Sequence, residues 1–334
     1  MKGYLFAIAS VATFVCSFAA PVADTPITTF FVASDTQGDL NDLKLALNDM
    51  VAVDPKYQAL VINGDVAREG YEKQYTDLLS TLNSNPHPEK VFYNIGNHDL
   101  YSGDKEEVMF ERFRKLTKEP KIYYERTVDG FPLIFLGTER YTKLCTSCHN
   151  FRVDHLETKS SNRSISRYIK GDYVWLSPEQ LNWLKERLQV HSASGKPIFV
   201  YLHIPIYMTT SGSSPKGYEN IYMQKKELLD ILGQYSQVIL FTSHTHYKLY
   251  LDDWQTRKTV EGGNPKGFQI INTGFIEQEW TMDSNGREYV PPGGYKEAQS
   301  LYLQIYKDRV VIMGRDHLRK KWVQKLELPY ESSN

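Results

Sequence analysis

Short apolar, β-branched runs alternate with amphipathic helical patterns through the first 245 residues, and this alternation restricts the fold more than any other feature of the chain. It predicts an α/β sheet protein, because an all-β or all-α chain shows one of the two periods and not both in turn. The runs that read as strands are Thr28–Ala33, Ala59–Asn63, Val91–Asn94, Leu133–Leu136, Ile198–Leu202 and Val238–Phe241. Between the first two, Leu40, Leu43, Leu47 and Met50 recur at spacings of three, four and three, which is one face of a helix. A second helix opens at Ser177-Pro178-Glu179-Gln180: the serine caps, the proline sits in the first turn, and Gln180 can close a capping box. Leu181, Leu184 and Leu188 then form its buried stripe. After His246 the pattern changes to strands only, at Tyr247–Leu251, Phe268–Ile271, Leu301–Tyr306, Val310–Met313 and Trp322–Leu326. No internal repeat is visible, and the polar stretch Thr142–Ser166 reads as an inserted loop.

The 39 basic and 40 acidic side chains leave a formal charge of -1, so no nucleic-acid-binding patch is expected. At the N-terminus, Lys2 precedes an apolar run from Tyr4 to Phe18, and the small residues Ser17 and Ala19 bracket Phe18. That pattern predicts a signal peptide over residues 1–19, cleaved near Ala19 to Ala23, and a secreted or envelope location. Cys16 leaves with the peptide, and no second apolar run could span a membrane in the mature chain. Cys145 and Cys148 remain, in Cys-Thr-Ser-Cys-His149. In an exported protein they are expected to form a local disulfide; a dithiol redox site and c-type haem attachment share the spacing. Asn162 is a glycosylation acceptor only in a eukaryotic host.

The residues just past each strand carry the chemistry. Asp35 and Gln37 come after the first run, Gly64-Asp65 after the second, and Gly96-Asn97-His98-Asp99 after the third. His203 follows the Ile198 run, and His244-Thr245-His246 follows the Val238 run. Open α/β sheets place their sites past the carboxyl ends of strands. Each residue alone has an ordinary explanation: Asp35 could cap a helix, Asn63-Gly64-Asp65 could be a turn, and a buried histidine is usually core. Jointly, two carboxylates, two amides and three imidazoles suit a pair of divalent cations better than one tetrahedral zinc.

In order and wording these blocks resemble the calcineurin-like metallophosphoesterase family, whose pattern is Asp-x-His, Gly-Asp, Gly-Asn-His-Asp/Glu, a lone His, then Gly-His-x-His. Here it reads Asp35-Thr-Gln37, Gly64-Asp65, Gly96-Asn97-His98-Asp99, His203 and Ser243-His244-Thr-His246, spanning essentially the whole mature chain. The resemblance implies a four-layer α/β/β/α sandwich with two mixed sheets. It also implies that Asp35, Asp65 and His246 hold one metal, and that Asp65 bridges to a second held by Asn97, His203 and His244. His98 would sit beside the phosphoryl group and serve the leaving oxygen, with Asp99 orienting it. Two residues depart from the pattern. Arg68 stands where tyrosine-ligated purple acid phosphatases carry tyrosine, which excludes that branch. Gln37 stands where histidine is usual: as a ligand its amide oxygen favours Mn²⁺ or Mg²⁺ over Zn²⁺, and the other reading turns it away with water in its place.

The expected cofactors are therefore two divalent ions from Mn, Fe, Zn or Mg, with Mn favoured. A water between two cations is acidified and delivered in line with the ester, and bound metals supply the positive charge that the composition lacks. The expected substrate is a small-molecule phosphate ester, with phosphodiesters or nucleotides ahead of phosphomonoesters; a non-catalytic binding protein on the same scaffold is the competing class. Because ligands run from Asp35 to His246, residues 24–330 are expected to form a single domain, and nothing in the sequence fixes an oligomeric state.

Overall fold

The computed structural model describes residues 24–143, 172–213, 221–222, 224–283, 288–291 and 297–331. The first third alternates as expected: β1 Thr28–Ala33, α1 Leu40–Val53, β2 Ala59–Asn63, α2 Glu72–Asn83, β3 Lys90–Asn94 and α3 Glu106–Thr117. Then come β4 Tyr124–Val128, β5 Phe131–Leu136, β6 Arg140–Lys143, β7 Asp172–Trp175, α4 Pro178–Ser192, β8 Ile198–Leu202, β9 Ile221–Tyr222, α5 Lys225–Leu232 and β10 Val238–Thr242. The remainder is β11 Gln255–Lys258, β12 Phe268–Asn272, β13 Thr281–Met282, β14 Glu288–Tyr289, β15 Gln299–Ile305, β16 Arg309–Asp316 and β17 Lys321–Pro329.

Two six-stranded sheets carry the fold, in the orders β17-β16-β15-β1-β2-β3 and β11-β12-β10-β8-β5-β4. Both are mixed. Strands β1, β2 and β3 pair in parallel while β15 pairs antiparallel with β1, and β5, β8, β10 and β12 are parallel with antiparallel edges at β4 and β11.

The two-residue period of a strand sorts these side chains into three cores. Phe30 and Val32 point between the sheets, where they meet Phe135, Phe199, Tyr201, Phe241 and Leu301. Their neighbours Phe31 and Ala33 point the other way, under Leu43, Leu47 and Met50 of α1 and Leu78 of α2. On the second sheet Ile134, Val200 and Leu240 pack under Leu181, Leu184 and Leu188 of α4 and Leu228 of α5. Helix, sheet, sheet, helix is the four-layer sandwich that the family pattern implied.

Two local readings need correction. Tyr247–Leu251 is not a strand: side chains take its backbone groups, Asn272 donating to the Tyr247 carbonyl at 3.1 Å and Gln299 accepting from Leu249 N at 2.8 Å. The strand lies later, at β11, where it pairs with β12. Ser177 does cap α4 by accepting from Gln180 N at 3.1 Å, but Gln180 does not close a box. Its carboxamide is buried against Gly137, accepting from the amide at 2.8 Å and donating to the carbonyl at 2.9 Å, while Glu139 takes the Ser177 amide. Helices α2, α3 and α5 and strand β4 were not singled out in the sequence. The inserted loop expected at Thr142–Ser166 begins in β6 and otherwise lies outside the described residues, as do Cys145, Cys148, Asn162 and the signal peptide expected over residues 1–19.

Candidate metal centre

Loops at the carboxyl ends of five parallel strands converge. β1 delivers Asp35 and Gln37, β2 delivers Asp65, and β3 delivers Asn97 and His98; from the other sheet, β8 delivers His203 and β10 delivers His244 and His246. Five of these residues have left-handed backbones: Asp35 (φ 52°), Gln37 (38°), Asp65 (50°), His244 (73°) and His246 (54°). Each such conformation costs on the order of 1–3 kcal/mol and persists only where the surroundings enforce it. The glycines of the motifs permit the approach. A Cβ on Gly64 would fall 2.2 Å from His203 Nδ1, and one on Gly96 would fall 2.1 Å from Asp65 Oδ1.

The side chains form two overlapping groups, Asp65 with His203 and His244, and Asp35 with Asp65 and His246; within each, one ligand atom per residue lies within 4.8 Å of the others. Asp65 belongs to both. His203 Nε2 is 3.2 Å from Asp65 Oδ2, and His246 Nε2 is 3.3 Å from Asp35 Oδ1. The far nitrogen of each ring faces a main-chain carbonyl, His203 Nδ1 to Asn63 O at 2.8 Å and His246 Nδ1 to Gln278 O at 2.7 Å. A carbonyl can only accept, so it fixes the proton on Nδ1 and leaves the Nε2 lone pair facing the carboxylates, as metal-binding histidines require. Ser243, in place of the family's glycine, adds a hydroxyl 2.9 Å from His203 Nδ1.

The donor set fits divalent cations. Asn97 donates its amide to Tyr101 OH at 2.8 Å, and its buried Oδ1 has no hydrogen-bond partner; nor has the buried Oδ1 of Asp35. Unpaired buried oxygens of this kind are costly unless something positive meets them. Gln37 is buried beside the group of Asp35, Asp65 and His246, its Nε2 3.0 Å from Asp65 Oδ2 and 3.1 Å from His246 Nε2. It faces the site, and a half-turn of the carboxamide presents its oxygen instead.

Electrostatics tell the same story. Burial works to lower the His203 imidazole, but Asp65 and Asp35 outweigh it and hold it up at about 9. Burial likewise opposes ionisation of Asp65, yet His203 and His98 pull its carboxyl well below the usual range. The paired carboxylates thus favour positive charge at this point, a demand that a divalent cation on the His203 Nε2 lone pair would meet. His244, buried beside His203, is pushed well down, so its nitrogen stays a neutral donor.

His98 and Asp99 require a correction. Asp99 was expected to orient His98, but the 3₁₀ turn His98–Leu100 sends the two apart. Asp99 is buried and clamps the loops, accepting from Gly96 N at 2.8 Å, Ala67 N at 3.0 Å and Tyr75 OH at 3.0 Å. Burial and the charge of Asp65 raise its carboxyl to about 6. The His98 ring is held by the Arg68 carbonyl, 2.8 Å from Nδ1, while its main-chain amide donates to Asp65 Oδ1 at 2.8 Å. Sequence reasoning also missed the segment after β12. There Glu277 N donates to the Asp35 carbonyl at 3.0 Å, Phe275 stacks on His246 at 5.9 Å, and Gln278 supplies the carbonyl that orients that ring.

The comparisons with known proteins agree with this geometry. A family model described as calcineurin-like phosphoesterase matches residues 28–248, and a model described as a domain of unknown function (DUF4073) matches residues 249–333. No curated protein matches the chain. A dimetal phosphatase from Danio rerio superposes with a TM-score of 0.59 at 15% identity, covering 92% of this chain and 100% of that one. GAP50, described as the anchor in the inner membrane complex of Plasmodium, gives 0.52 at 11% identity, covering 91% of this chain and 89% of that one. A purple acid phosphatase from yellow lupin (Lupinus luteus) seeds gives 0.57 at 11% identity, covering 90% of this chain and 53% of that one. At these identities the likeness is one of fold.

Proposed function

The chain belongs to the calcineurin-like phosphoesterase family, and from that premise we propose that it hydrolyses phosphodiesters or nucleotides at a centre of two divalent ions, in an exported compartment. Hydrolysis of a phosphoric ester is what the family match establishes; the ester class, the metal and the location are the proposal. The observation that carries it is the double membership of Asp65, a carboxylate common to both candidate ligand groups. Asp35, Asp65 and His246 would hold one ion with Gln37 beside it, and Asp65, His203, His244 and Asn97 the other. An oxygen-rich set that includes two amides supports manganese over zinc. Export is supported by the apolar run Tyr4 to Phe18 and its small-residue cleavage site. Among the described residues no helix is long and apolar enough to cross a membrane.

Two divalent ions, once bound, supply Lewis acidity and an acidified water. The chain's own residues do the rest. Asp65 ties both loops to one point and leaves the ions a net positive field for an anionic ester. His98, with Nδ1 committed to the Arg68 carbonyl, has only Nε2 left to carry a second proton toward the leaving oxygen. Asp99 keeps the loops carrying Asp65 and Asn97 in register. Residues 24–330 act as one domain in this reading: β11 and β12 complete the second sheet, while β15, β16 and β17 complete the first.

The test is a manganese-reconstituted assay against bis-p-nitrophenyl phosphate, p-nitrophenyl phosphate and cyclic nucleotides, with Asp65→Asn as the blank. Faster cleavage of the diesters supports the reading, preference for p-nitrophenyl phosphate replaces it with a phosphomonoesterase, and silence on all of them leaves a binding protein on the same scaffold.

A further inference from the structure

Arg68 follows the bridging aspartate by three positions, and the family pattern gives it no task here. Its carbonyl holds the His98 ring. Its guanidinium leans on Glu277 through Nη2 alone; Nε and Nη1 make no hydrogen bond to any described residue. The arginine side chain is 49% exposed and the glutamate 10%, so the acid is rooted and the base reaches outward.

Anchorage of the segment does not explain the pair. Ile276 N already donates to the Ser34 carbonyl at 3.0 Å, Glu277 N to the Asp35 carbonyl at 3.0 Å, and Trp280 N to the His246 carbonyl at 3.0 Å. An ion pair this open to solvent adds about 0–1 kcal/mol to stability. What it does add is aim. A guanidinium presents five N–H donors in a rigid fork, and pinning one nitrogen orients the others without using them. The fork then stands on the residue that also positions His98, the side chain assigned to the leaving oxygen.

We propose that Arg68 is a substrate-contacting residue that holds a phosphoryl oxygen of the ester, with Glu277 as the positioning residue for its guanidinium. The inference rests on the proposed function and gives the uncharacterised C-terminal segment a part in substrate recognition, since Glu277 lies within residues 249–333. Charge-assisted hydrogen bonds from arginine to phosphate are strong and directional, and lysine cannot reproduce the fork.

Two measurements on the manganese-loaded full chain test it: the Kd for inorganic phosphate by calorimetry, and KM and kcat on bis-p-nitrophenyl phosphate. Arg68→Gln should weaken phosphate binding and raise KM about 10- to 100-fold, the worth of one charged hydrogen bond, with metal content and melting temperature unchanged. Arg68→Lys should recover less than half of that loss on a logarithmic scale, and Glu277→Gln, which leaves the guanidinium in place but unaimed, should fall between wild type and Arg68→Gln. Unchanged phosphate affinity in Arg68→Gln, or a loss that only tracks a lowered melting temperature, overturns the inference while leaving the function intact. If wild type hydrolyses no ester but binds phosphate through Arg68, the function fails and the contact stands; if wild type binds no phosphate, both fall.

Discussion

Asp49 of α1, Arg315 of β16 and His317 make a second buried cluster of charge, and its contrast with the metal centre shows what each is for. Arg315 meets both oxygens of Asp49 at 2.8 Å, His317 Nδ1 lies 2.9 Å from Asp49 Oδ2, and Ser300 Oγ lies 2.7 Å from His317 Nε2. Every charge there has a protein partner, and the cluster joins a helix to the last strands of the first sheet. At the metal centre, carboxylates and imidazoles crowd one another while the buried Asp35 Oδ1 and Asn97 Oδ1 accept no hydrogen bond. A cluster that closes on itself is a fastener; one that leaves oxygens open is a receptor for something not encoded in the chain.

Substitutions that sharpen this contrast differ in size and in kind. The largest effect is expected at Asp65, because both ligand groups lose a member at once. Asp65→Asn should reduce turnover far beyond the 10- to 100-fold typical of outer-shell changes and leave less than one tightly held metal per chain by atomic absorption. Two retained ions would break the bridging assignment. Next comes Asp49→Ala, which strands the Arg315 charge. It should cost about 3–5 kcal/mol in denaturant unfolding, yet leave metal content per folded molecule unchanged. If metal binding falls with it, the two clusters are not independent.

Smaller still is Ser243→Ala. His203 keeps the Asn63 carbonyl, so metal affinity should drop about 10-fold, the low end for an outer-shell change, as read by competition with a chelator. No drop would leave the Ser243 hydroxyl without a role in orienting that ring. The mildest effect is on pH dependence. Burial lowers the His317 imidazole below its usual value in spite of Asp49, and Arg315 and His317 hold Asp49 low against its own burial. A depressed histidine gives stability that is complete above its unfolded value of about 6.5 and is lost as pH falls, because the unfolded chain takes up the proton first. The Asp49 contribution is lost only below about 3.8, by the same sign. The melting temperature should therefore decline from pH 7 to pH 5, and His317→Asn should flatten that slope; an equally steep variant would remove His317 as its source.

Much of the centre was legible because a strand's end is a chemical address. Asp35, Asp65, Asn97, His203, His244 and His246 each come after an apolar run, and the structure gathers them. The role expected of Asp99 came with the family pattern, whereas one 3₁₀ turn parts its side chain from that of His98. Gln278 escaped notice, and Arg68 was read only as a departure from tyrosine, because both hold a histidine through main-chain carbonyls, which carry no residue-type signal. Glu277 escaped because the long separation from Arg68 leaves no local period to read. Tyr247–Leu251 looked like a strand for the opposite reason: Tyr247 and Leu249 are buried two residues apart, as in a strand, but in a turn whose backbone Asn272 and Gln299 satisfy.

The register of β1 has a consequence for how the chain is made. Thr28 pairs with Ile305 and Val32 with Leu301, so the strand that delivers Asp35 is flanked by a partner from near the other terminus. On a ribosome moving at about 5–20 residues per second, that partner emerges on the order of tens of seconds after β1. The first sheet cannot close before then, and its most central edge waits unpaired. Assembly of the centre therefore waits for β15 to emerge, so loss of β15 to β17 should yield an aggregating product, read by light scattering, and not a weakened enzyme.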